Sequence, residues 1–214
     1  MKRILLTLIS LGAISFVPFV GYGTSFDAFT GISDTGKLGF TPTLRVPTTF
    51  DSASLELWFN YGISKNIDIQ ANASTLNFSS SGFGWGGIYL LPRYDFGSLS
   101  ILEYNILALG VGFGGGFSLD VQYHTEFGII PNLLSFEVNI IGNIIPSFGI
   151  SGIFAPVLYL LDWLALYVEI NPSFVPGFGV EFVPGVDISL RNLGELNISY
   201  STGQVIGVRY SISF

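Results

Sequence analysis

The sequence predicts an all-β chain folded as a closed antiparallel up-and-down transmembrane β-barrel of about twelve strands. Three observations carry this expectation. Apolar side chains recur at every second position through most of the chain, the period of a strand with one oily face and one polar face. Turn residues interrupt that alternation at regular spacing, leaving segments of roughly 10 to 15 residues, enough for tilted membrane-crossing strands that need about 9–11. Finally, hydrophobic residues make up 49% of the 214 residues and charged residues only 11%, less than half the charged share of ≈ 25% usual for a soluble domain.

The elements follow in chain order. Lys2 and Arg3 precede an uncharged apolar stretch over residues 4–23, with Gly21 and Gly23 as small residues near its end. This reads as a secretory signal peptide over 1–23, and Pro18 with the short apolar core argues against an uncleaved anchor. Residues 24–36 follow as an N-terminal periplasmic segment, and 37–214 form the barrel. Without the two signal bases the chain carries 15 acids against 6 bases. So acidic a chain has no electrostatic footprint for nucleic acid. The absence of cysteine fits an exported protein in which disulfides are allowed but not needed.

The expected strands are 37–46, 53–63, 67–78, 84–95, 99–112, 116–128, 133–145, 149–161, 164–175, 178–190, 195–201 and 204–214. In the second, Leu55, Leu57, Phe59, Tyr61 and Ile63 alternate with Glu56, Trp58, Asn60 and Gly62. The third sets Ile67, Ile69, Ala71 and Ala73 against Asp68, Gln70, Asn72 and Ser74. The sixth is the clearest, with Leu119, Val121, Tyr123, Thr125 and Phe127 against Asp120, Gln122, His124 and Glu126. Over 133–145 and 149–161 polarity no longer separates two faces, and a different division there gives ten or fourteen strands. An even number returns both ends to one side of the membrane, and an open edge in lipid would leave backbone groups unpaired, so the sheet closes. Pro42, Pro92, Pro156 and Pro184 fall inside strands and are expected at irregularities of pairing. Aromatics gather at strand ends, as interfacial girdles do. The loops on the side away from the termini, about 47–52, 79–83, 113–115, 146–148, 176–177 and 202–203, are too short to fold back as a plug or to build a receptor surface. Residues 138–161 contain no charge, but Gly142, Pro146, Gly149, Gly152 and Pro156 break them as a helix.

The last segment ends on an aromatic: Ile206, Val208, Tyr210, Ile212 and Phe214 alternate with Gly207, Arg209, Ser211 and Ser213. This pattern resembles the C-terminal signal of bacterial outer-membrane β-barrels, where alternate hydrophobics lead into a terminal Phe. The mature chain as a whole resembles a small porin-like barrel of that class. The resemblance implies an outer-membrane location, with lipid and the β-barrel insertion machinery as partners.

Alternation turns nearly every charge inward. The expected lumen-lining residues are Arg45, Glu56, Arg93, Glu103, Asp120, His124, Glu126, Glu137, Glu169, Glu181, Asp187 and Arg209, with Asp68, Asp95, Glu195 and Lys37 of the same facing. So many acids would be costly in a dry core, which implies water inside. The bases fall mainly on the first and last strands and the acids on the middle ones, a basic wall facing an acidic wall. The expected function is passive diffusion of small hydrophilic solutes or ions, with cation preference. The alternative is a structural or lipid-organising barrel whose lumen is closed by cross-strand ion pairs such as Arg45 with Glu56. An outer-membrane enzyme ranks lower. Pairing about Pro131-Asn132 would set His124 opposite Glu137, and Glu103 would fall near Glu126. One His with no Cys makes a poor transition-metal site, and no Ser nucleophile stands in a motif. No catalytic residue, metal or cofactor is therefore expected. Residues 110–115 are a glycine-rich hairpin rather than a dinucleotide fingerprint, since no helical pattern follows. A monomer and a homo-oligomer both fit.

Overall fold

A computed structural model describes residues 32–99, 102–114 and 116–214, apart from the side chain of Ser74. The expected signal peptide and residues 24–31 lie outside the described residues. The chain forms thirteen strands: β1 (Leu38–Pro47), β2 (Ser52–Ser64), β3 (Ile67–Ser79), β4 (Gly82–Trp85), β5 (Ile88–Asp95), β6 (Leu102–Phe113), β7 (Ser118–Ile130), β8 (Leu134–Ile145), β9 (Gly149–Leu161), β10 (Leu164–Val175), β11 (Gly179–Ser189), β12 (Glu195–Ser201) and β13 (Val205–Ser213). A 3-10 turn, Arg191–Leu193, separates β11 from β12.

Every strand of the ring pairs antiparallel with its neighbours, and β1 closes the cylinder against β13 through Gly39↔Ser213, Thr43↔Arg209 and Val46↔Ile206. Twelve strands make the ring. β4 stands outside it, hairpinned on the upper half of β3. Closure leaves no sheet edge in the ring, the condition for a sheet that crosses lipid.

The expected strand 84–95 is two elements, and the reason is local. Gly86 N–H donates to Thr75 O at 2.8 Å, holding the chain on β3. Gly87 then turns with φ +100°, and a Cβ there would lie 2.1 Å from the Phe113 carbonyl oxygen. Only glycine fits that conformation and that approach. β5 thereby slips in between β3 and β6, pairing Tyr89↔Asn72 on one side and Ile88↔Phe113 on the other.

Prolines behave as their missing N–H dictates. Pro42 pairs with Leu57, Pro92 with Ile69, Pro156 with Phe136 and Pro184 with Val168. The ladders to the other neighbours of the first three pass over them, from Phe40 to Thr43, Leu90 to Arg93, and Phe154 to Val157.

Polarity is inverted relative to a soluble domain. Leu107, Leu109, Val121, Leu158, Leu166, Val168, Ile198 and Tyr200 are large, apolar and exposed around the outside. Asp68, Arg93, Asp120, His124, Glu137, Glu169, Asn197 and Arg209 are buried. That is the distribution of a barrel whose solvent outside is hydrocarbon.

Candidate functional site: the barrel interior

The period of two decides which side chains meet inside. On β7, Asp120, Gln122 and His124 are buried while Val121 is exposed. The ladders carry this parity to neighbouring strands, setting Asp120 beside Gly110, Gln122 beside Ala108 and His124 beside Ile106. Three polar groupings result.

Nearest the termini, Asp68 and Arg93 form a two-pronged ion pair, with Arg93 Nε to Oδ1 at 2.8 Å and Nη2 to Oδ2 at 2.6 Å. Both side chains are almost wholly enclosed, at 0% and 1% exposure. Paired geometry of this kind makes the strongest charge-assisted bonds. Further round the ring, between β7 and β9, Tyr159 Oη donates to Glu126 at 3.5 Å. A cavity of ≈ 370 Å³ there is lined by Glu103, Glu126, Ser135 and Tyr159 among others.

Midway, a cavity of ≈ 360 Å³ is bounded by Arg45, Glu56, Trp58, Tyr89, Gln122 and Asn139, with further residues of β1, β3, β5, β8 and β9. Arg45 Nε reaches Glu56 Oε1 at 3.2 Å, and Trp58 Nε1–H donates to Glu56 Oε2 at 3.0 Å. Trp58 and Tyr89 meet edge-on with centroids 6.0 Å apart. Tyr89 Oη donates to the Asp120 carboxylate at 2.8 Å and accepts from Gln122 Nε2 at 2.7 Å. His124 Nε2 and Gln122 Oε1 are 3.0 Å apart.

The third grouping lies on β10 to β13. Tyr167 Oη donates to Asn197 Oδ1 at 2.7 Å, and Asn197 Nδ2 donates to Asp187 at 3.0 Å. Arg209 Nη2 stands 3.8 Å from Glu195 Oε1. Asn171 Nδ2 approaches Glu169 at 3.5 Å, and Ser201 Oγ donates to Glu181 at 2.5 Å. Glu137 and Glu169 are fully enclosed.

Two alignments differ from expectation, His124 with Glu137 and Arg45 with Glu56. His124 pairs with Asn139, and Glu137 pairs with Glu126, two residues from the anticipated alignment. The observed alignment is the one a two-residue turn over Pro131-Asn132 dictates, closed by Leu133 N–H donating to Ile130 O at 3.0 Å, and the bulge between Gly128 and Ile130 displaces only the end pair Ile130↔Leu134 by one residue. Glu103 sits in a bulge, with Leu102 paired to Phe127 and Tyr104 to Glu126, so Tyr104 takes the buried position while Glu103 lines the cavity with Glu126, near it as expected. Arg45 and Glu56 meet on a diagonal, because the ladder sets Thr43 opposite Glu56 and Arg45 opposite Ser54.

Tyr89, Trp58, Tyr167 and Asn197 also belong to the interior, beyond the expected lining residues. Each occupies the parity of a charged neighbour, Tyr167 two residues before Glu169 and Tyr89 four before Arg93, so the signal was present in the alternation. Ser33 carried none, since it precedes the first periodic residue.

No protein-family description matches the chain, and no curated protein sequence does. Solved structures do resemble it. One is a KdgM porin, with TM-score 0.63 at 6% sequence identity over 83% of this chain and 98% of that one. Another is a KdgM porin in complex with disordered oligogalacturonate, with TM-score 0.61, the same identity and the same coverage. A likeness at this identity concerns the fold. The chain has the fold of a porin-like outer-membrane β-barrel.

Proposed function

We propose that this protein is an outer-membrane channel for passive diffusion of small hydrophilic solutes, with a preference for cations. The observation that carries the reading is the mid-barrel cavity: a closed cylinder with an apolar outside encloses a polar space bounded by Arg45, Glu56, Trp58, Tyr89, Gln122 and Asn139. Lining by Arg45, Glu56, Arg93, Glu103, Asp120, His124, Glu126, Glu137, Glu169, Glu181, Asp187 and Arg209 gives the path an excess of carboxylates. Low-dielectric walls focus the field of such charges along the axis, and acidic rings are a common device of cation-selective pores. The oligogalacturonate of one similar barrel is a polyanion, and an acid-rich interior opposes it. Small neutral or cationic solutes suit this chain better. The C-terminal strand supports recognition by insertion machinery, and the apolar outer surface supports lipid as the surrounding partner.

A second reading has its own observation. Asp68, Glu137, Glu169 and Asn197 are at 0% exposure, tighter than side chains bordering a wide aqueous pore. If their network fills the cross-section, the barrel is structural or lipid-organising. Swelling of liposomes loaded with the refolded protein separates the two. Uptake of small neutral sugars is expected, and liposomes that stay impermeable to sugars and to small cations alike would overturn the channel.

A further inference from the structure

We propose that residues 33–36, folded back over the rim onto the inner wall, form the constriction that sets the size limit of the path through the barrel. This rests on the channel reading and adds to it the element that restricts passage.

The chain enters β1 by a tight turn. Lys37 N–H donates to Asp34 O at 3.0 Å, and Gly36 sits between them with φ +79°, the arrangement of a type II turn with glycine at its third position. Gly36 N–H donates to Gly62 O at 2.8 Å, and Gly62 N–H donates to Lys37 O at 3.1 Å. The turn is thus stitched to the end of β2. It reverses the chain, so that Ser33 returns inside the cylinder instead of leading away from it.

What waits there is shaped to receive it. Tyr61 and Ile63 are exposed on the outer face of β2, so the position between them, Gly62, faces inward. A Cβ on Gly62 would lie 2.0 Å from the Asp34 carbonyl oxygen: the backbone of the strap occupies the place of a side chain. Beyond it, Ser33 offers both its donors to one oxygen, N–H at 2.9 Å and Oγ–H at 3.0 Å from Asp68 Oδ2. Asn60 Nδ2 donates to Ser33 Oγ at 2.5 Å. Asp68 therefore holds the strap with the same carboxylate that pairs with Arg93. An inner-wall residue ordinarily projects one side chain into a barrel. Here a length of main chain is layered on the wall, with ionic anchoring that resists displacement. Passage at this end is narrowed by the strap rather than by the ring itself.

Two variants of the full chain release the strap while both members of the Asp68–Arg93 ion pair stay in place. Ser33→Pro removes both donors, and Gly62→Ala puts a methyl group where the Asp34 carbonyl lies. Each is refolded, checked for the mobility shift of a closed barrel, and recorded in planar bilayers with neutral polymers of graded size. Larger single-channel conductance and admission of larger polymers are expected from both. Because the chain has no cysteine, Thr41→Cys on the inner face of β1 adds a second readout. Its modification by a charged thiol reagent should speed up severalfold when Ser33→Pro is present. Folded variants with unchanged conductance, size limit and labelling would overturn the proposal while leaving a conducting wild type as a channel. Faster labelling without conductance in any variant would uphold the strap and refute the channel. Conductance only after release would uphold it as a full closure.

Discussion

At the scale of single residues, the interior depends on carboxylates whose partners are fixed by parity. Asp68 is the most constrained, taking two bonds from Arg93 and two from Ser33. Arg93→Met leaves a buried carboxylate without its counter-charge. The expected loss is about 3–5 kcal/mol, the range for breaking one partner of a buried pair. Asp68→Leu combined with Arg93→Met should recover most of it, because no charge is then stranded. Urea unfolding of the refolded barrel measures both, and a single variant as stable as wild type would show that water reaches Asp68. Glu103, Glu126 and Glu137 lie on three successive strands. Conversion of all three to Gln keeps volume, so ion selectivity should weaken with little change in pore size. Facing of this kind was legible from alternation wherever strands run unbroken. It was not legible across bulges, where one inserted residue exchanges the two faces. Tyr104, buried where the bulge at Glu103 changes the parity, shows this.

Strands were the most legible level, because each must present one apolar face to lipid and the period of two repeats with every hairpin. Even β8 and β9, whose polarity is poorly separated, run over Leu134–Ile145 and Gly149–Leu161, close to the expected 133–145 and 149–161. Turn residues fixed those ends where side-chain polarity could not. The exception is β4, concealed because residues 82–92 carry no charge and the break rests on the backbone of Gly86-Gly87. Since β4 contributes to no other strand of the ring, shortening the chain across residues 80–86 to a direct β3–β5 turn should leave the barrel closed. Retention of the unboiled gel mobility checks this. Its loss would mean that the β3–β4 hairpin braces the upper wall. The last strand makes a stronger demand. Ile206, Val208 and Ile212 pair with Val46, Leu44 and Phe40 across the closing seam, and Leu38 and Phe214 exchange backbone hydrogen bonds at its end. Deleting Phe214 should therefore reduce membrane yield far more than the loss of one exposed ring suggests, as quantified by outer-membrane fractionation. Undiminished yield would mean that the terminal aromatic carries no insertion signal.

For the whole molecule, closure organises everything else. A cylinder with no open edge places apolar side chains outside and concentrates charge within, so one architectural decision yields both membrane compatibility and an interior field. Such a hydrogen-bonded ring should resist detergent and run differently on a gel before and after boiling. Identical mobility with helical circular dichroism would refute the fold. Composition and periodicity made the architecture legible. They left the strap invisible, since its position depends on a missing side chain at Gly62 and on a carboxylate brought near by the β2–β3 hairpin. The most direct test of the account is the zero-current potential of a single refolded channel under a potassium chloride gradient. The acid-rich interior predicts a potential displaced toward the potassium equilibrium value, with the displacement shrinking as salt rises and screening shortens to about 3 Å at 1 M. A potential displaced toward chloride would contradict it.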